Sequence, residues 1–96
     1  MVQIIPNYAS VTAAVLAVEA FDDAMDVVTL QIDEIKDHQN YPNLIRPLPG
    51  NRLKVTIKRS AREALELEKG SRISALVRAA GLDNYYFNDD SIRIVP

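Results

Sequence analysis

RLKVTIKRSAREALELEKGSRISALVRAA, residues 52–80, holds two alternating segments on either side of a helix-like one. In the first, Leu53, Val55 and Ile57 alternate with Arg52, Lys54, Thr56 and Lys58, the period of two expected of a strand with one buried face. This predicts a strand over Arg52 to Arg59. Ser60 then stands three residues before Glu63, the spacing at which hydroxyl and carboxylate each satisfy a free amide at a helix start. A helix of about two turns is expected from Ala61, with Ala61, Ala64, Leu65 and Leu67 as its apolar stripe and Gly70 as its left-handed stop. From Ser71 to Ala80, Ile73, Ala75, Val77 and Ala79 alternate with Ser74, Leu76 and Arg78, and Gly81 ends this next strand.

Upstream of this block, Val11 to Ala20 is a run of small and β-branched apolar residues, in which Val11, Thr12, Val15 and Val18 favour a strand over the helix that Ala would favour. Phe21 to Ala24 is a turn stabilised by Asp side chains bonding their own downstream amides. Val27 to Lys36 alternates again and forms the second strand. Residues 37–51 hold Pro42, Pro47 and Pro49, whose missing amide donors predict a long loop, pinned by Tyr41, Leu44, Ile45 and Leu48. Downstream, residues 83–90 are expected to be a polar loop around Tyr85, Tyr86 and Phe87, followed by a last strand, Ser91 to Val95, with Ile92 and Ile94 on one side. Residues 1–8 form a lead-in. The order strand-strand-strand-helix-strand-strand predicts an all-β chain with one short helix, a five-stranded OB-like barrel in a single domain over residues 1–96.

Composition narrows the function. The chain has 96 residues, 48% of them hydrophobic and 25% charged, which suits one globular domain rather than a disordered chain. A net charge of -2 supplies no global field for nucleic acid, so the charge balance speaks against that partner and any basic surface must be local. The absence of Cys excludes disulfides and thiolate chemistry, and the lone His38 excludes a site needing two histidines from one chain. Val11 to Val18 is far shorter than a membrane-spanning helix and has no basic residue before it, so a cytoplasmic protein without membrane contact is expected. No phosphate loop, nucleophile elbow or paired catalytic carboxylates are recognisable, and a non-enzymatic role without a resident cofactor is expected.

The segments Leu53 to Ile57, Ser60 to Gly70 and Ser71 to Ala80 resemble the TOBE or Mop domain of molybdate-binding proteins, which runs strand, short helix ending in Leu-x-x-Gly, strand. The likeness is limited to about residues 53–80. It implies an OB-like barrel, association between copies, and molybdate or tungstate held at a subunit interface. Arg78 falls at that family's Lys position, but Asn7-Tyr8-Ala9-Ser10 replaces its Ser-Ala-Arg-Asn segment, and Ala80 replaces a small hydroxyl residue.

Three candidate surfaces follow. Arg52, Lys54 and Lys58 line the outer face of the third strand, a strip fit for a phosphate backbone, although no aromatic residue interleaves on that strand. Arg78 is the candidate anion ligand. Tyr85, Tyr86 and Phe87 suit an interface anchor or a cover over one barrel end. Asp22, Asp23 and Asp26, and separately Asp89 and Asp90, lack calcium-loop spacing and are expected to stabilise turns. The reading these features favour is a non-enzymatic binding or accessory domain of TOBE-like type, a homo-oligomer acting through self-association or an unidentified protein partner. The alternatives are small-oxyanion binding between subunits and single-stranded nucleic acid on the strand-three face.

Overall fold

The computed structural model describes residues 7–81 and 84–95. The expected lead-in therefore lies outside the described residues except for Asn7 and Tyr8. The elements are β1 (Ala9–Ala20), β2 (Met25–Asp37), β3 (Arg52–Lys58), α1 (Arg59–Ala64), β4 (Arg72–Ala79), β5 (Tyr85–Phe87), a single 3-10 turn (Asp89–Ser91) and β6 (Arg93–Ile94).

β1 and β2 form a long antiparallel hairpin, and its turn is built as the sequence predicts: Asp22 Oδ1 accepts from the amides of Ala24 and Met25, each at 2.8 Å. Two register shifts bend the hairpin, leaving Asp33 of β2 and Leu16 of β1 as extra residues. Such bulges sharpen strand twist, which lets one strand serve two neighbours around a small barrel. The first half of β1 thus pairs with β4 as well as β2, from Ala9 opposite Val77 to Ala14 opposite Arg72. β2 pairs antiparallel with β3, β3 lies parallel to β5 through Thr56 and Tyr86, and β5 pairs antiparallel with β4. The ring closes. The chain is an all-β, five-stranded OB-like barrel with one short helix, and β6 is an added strand on the start of β4.

Alternation sets the interior. Val11, Ala13 and Val15 of β1, Val28 and Leu30 of β2, Leu53, Val55 and Ile57 of β3, and Ile73, Ala75 and Val77 of β4 are all buried. The long loop after β2 is tied down by Ile45 in the core, with Leu44 packed against it, while Tyr41 and Leu48 stay exposed.

Three expectations are corrected. The strand that closes the barrel is Tyr85–Phe87, not Ser91 to Val95: Tyr85 and Phe87 point inward and Tyr86 outward. Three residues of alternation are too few to stand out between Asn84 and the polar run from Asn88 to Asp90. Ile92 is buried ahead of β6 while Ile94 is half exposed, so the two do not share a face.

The helix is also shorter and earlier than its spacing suggests. It begins at Arg59 with no side-chain cap, and Ser60 lies inside it. The cause is Arg59 itself, whose amide donates to the Ala24 carbonyl at 2.9 Å and whose guanidinium binds Asp26 and the carbonyls of Asp22, Asp23 and Met25, so the chain coils directly out of β3. Glu66, at φ 54°, takes the left-handed position that ends the helical segment and turns Leu67 into the core. Gly70, at φ 98°, belongs to the following turn, from which its amide donates to the Val15 carbonyl at 2.9 Å. No helix among the described residues is long and apolar enough to cross a membrane.

Candidate ligand-binding face

Because inward residues alternate with outward ones, Arg52, Lys54, Thr56 and Lys58 stand in one row outside β3. Their register partners on β2 are Gln31, Thr29, Val27 and Met25, so these two adjoining rows carry no carboxylate. On the other flank Thr56 lies beside Tyr86, and Tyr86 lies opposite Arg78 on β4. The Arg78 guanidinium carbon sits 5.1 Å from the centre of the Tyr86 ring, a cation–π arrangement that holds both side chains on the barrel wall. The aromatic residue absent from β3 is supplied by β5.

These cations are not ion-paired with any described residue. Among the described residues, Arg59 and Arg62 pair with Asp26, Arg72 with Asp33 and Lys36 with Glu34, whereas Arg52, Lys54, Lys58 and Arg78 have no carboxylate within ion-pair distance. At the Lys58 end, burial pushes the Asp89 carboxyl above its ordinary value; Lys58 pulls it back, and Asp90 adds to the rise.

The aromatic triplet separates. Tyr85 and Phe87 are core side chains, each 6% exposed, which leaves Tyr86 at the surface. The Tyr85 hydroxyl accepts a hydrogen bond from the Arg46 amide at 3.0 Å, joining the long loop to β5. The acidic cluster near residue 22 has structural partners: Asp22 caps the hairpin turn, and buried Asp26 binds Arg59 and Arg62. His38, the lone histidine, stacks on Tyr41 with a 7° interplanar angle and meets the edge of Tyr8. That grouping joins residues about thirty positions apart and leaves no periodic trace in the sequence.

No protein-family model matches the chain, and no curated protein matches it.

Proposed function

We propose that the chain is a non-enzymatic binding domain that holds an extended anionic ligand, single-stranded nucleic acid, across the outer face of β3, β5 and β4. The observation that carries this reading is the row Thr56, Tyr86, Arg78, which sets an aromatic ring and another cation beside Lys54 and Lys58. Strand-tracking sites combine a basic groove with planar groups on which bases stack. An oxyanion site between subunits draws less support, because Asn7-Tyr8-Ala9-Ser10 carries no Arg and Ala80 offers no hydroxyl.

The test is fluorescence anisotropy with a labelled oligothymidylate at two salt concentrations. Each phosphate contact contributes about -0.7 to the logarithmic salt slope, so four cations predict a slope of roughly -2 to -3. The Lys54→Gln, Lys58→Gln double variant is expected to flatten the slope by about 1.4. Absence of binding at low salt, or an unchanged slope in the double variant, would refute the assignment.

Self-association is the second reading, and a specific feature favours it. Past Val15, β1 has only β2 as a strand partner among the described residues, and the exposed Phe21 follows at its end. That open edge suits pairing with a second copy. Sedimentation velocity at high micromolar concentration is expected to show dimer on this reading, and a strict monomer would end it.

A further inference from the structure

A pocket of about 240 Å³ lies between the long loop and the barrel wall, lined by Arg46, Leu48, Leu53, Lys54 and Tyr85. Its origin is in the sheet. β3 and β5 meet at one register pair, Thr56 and Tyr86, so the wall beside Leu53 and Lys54 has no strand neighbour on that flank among the described residues. The loop crosses this gap without filling it. Its position is fixed by Ile45 in the core, by the Arg46 amide on the Tyr85 hydroxyl, and by the reciprocal main-chain bonds of Leu48 and Arg52 at 2.7 and 3.3 Å.

We infer that this pocket is a binding site for a small organic anion with a compact apolar body, such as an aryl or short-chain carboxylate. Leu53 and Tyr85, both buried, and the half-exposed Leu48 supply the apolar lining. Arg46 and Lys54 supply positive charge, and neither has a carboxylate within ion-pair distance among the described residues. One Arg46 nitrogen donates to the Ile45 carbonyl at 3.2 Å, which steadies the guanidinium and leaves its other donors for a ligand. Planar guanidinium donors match the two oxygens of a carboxylate. The volume falls below the roughly 300 to 1,000 Å³ of drug-sized sites, which selects a ligand of about ten heavy atoms. This site stands apart from the outward strip and shares only Lys54 with it.

Benzoate and its neutral analogue benzamide provide the test, followed by two-dimensional NMR of the intact chain. Benzoate is expected to bind saturably in the millimolar range or tighter, shifting the methyl signals of Leu48 and Leu53 and the ring signals of Tyr85. Benzamide is expected to bind at least about tenfold more weakly, since it lacks the charge that Arg46 and Lys54 would meet. The Arg46→Gln, Lys54→Gln variant alters exposed side chains only, its own spectrum reports whether it is folded, and it should erase the preference for benzoate. Equal binding of the two probes, no saturation by about 20 mM, or shifts centred elsewhere would overturn the assignment. So would an undiminished preference in the folded double variant.

Discussion

In the Asp26→Asn variant, urea denaturation at neutral pH is expected to show a loss of about 2 kcal/mol of unfolding free energy. Asp26 is a buried carboxylate whose two oxygens bind Arg59 at 2.9 Å and the Nε of Arg62. Arg59 also grips three carbonyls of the hairpin turn, so this carboxylate joins the β1–β2 hairpin to the helix. The expected loss stays below the ~3–5 kcal/mol of a fully buried pair because the Arg59 and Arg62 side chains are 30% and 24% exposed. The effect is pH-dependent. The Arg59 hydrogen bond holds the Asp26 carboxyl below its ordinary value of 3.8, burial opposes this, and Arg62 adds to the lowering. An unfolded Asp takes up its proton near pH ~3.9, before the folded one does, so the stabilisation is complete above that pH and is lost as pH falls through the lower folded value. The gap between wild type and Asp26→Asn should therefore narrow on acidification below pH ~4, and a constant gap would contradict the role given to its charge. Asp89, raised by burial, has the opposite sign: its ionisation weakens the fold as pH rises past its unfolded value.

Asn7→Ala is expected to cost about 2 kcal/mol, measured in the same way. The buried Asn7 amide donates to the Ala79 carbonyl at 2.9 Å, and its oxygen accepts from the Ala79 amide at 2.8 Å. β1 pairs with β4 only as far as Ala9 opposite Val77, so the Asn7 side chain provides the main-chain-like contacts two residues further on. Truncation leaves a donor and an acceptor of Ala79 unpaired beside the barrel, where water is poorly placed to replace them. Amide exchange at Ala79 should quicken as well, and unaltered stability with unaltered exchange would show the contact to be dispensable.

The fold was legible where alternation ran for seven residues or more. β2, β3 and β4 declared their inward faces through Leu30, Val55 and Val77, and β1 was recognisable from Val11 and Val15 despite its alanines. The closing strand was not, because Tyr85, Tyr86 and Phe87 are all aromatic and their period is invisible until one ring is seen to face outward. The capping spacing at Ser60 and Glu63 was overridden by a distant partner, Asp26, which drew Arg59 into the helix. Lys54 and Lys58 were readable as a strip from β3 alone. Their meeting with Tyr86 and Arg78 depends on a parallel pairing thirty residues away, which no local pattern encodes.

Closure of the ring through β1 and β4 also has a consequence for biosynthesis. The contact between Asn7 and Ala79 spans 72 positions, and the pairing of β5 lies later still. A ribosome makes β1, β2 and β3 first, so the apolar faces of that meander wait in water until β4 and β5 have emerged. Folding dominated by such distant pairings is slow, and incomplete sheets with open edges aggregate. Nascent chains stalled within β4 should thus be the species most in need of a chaperone.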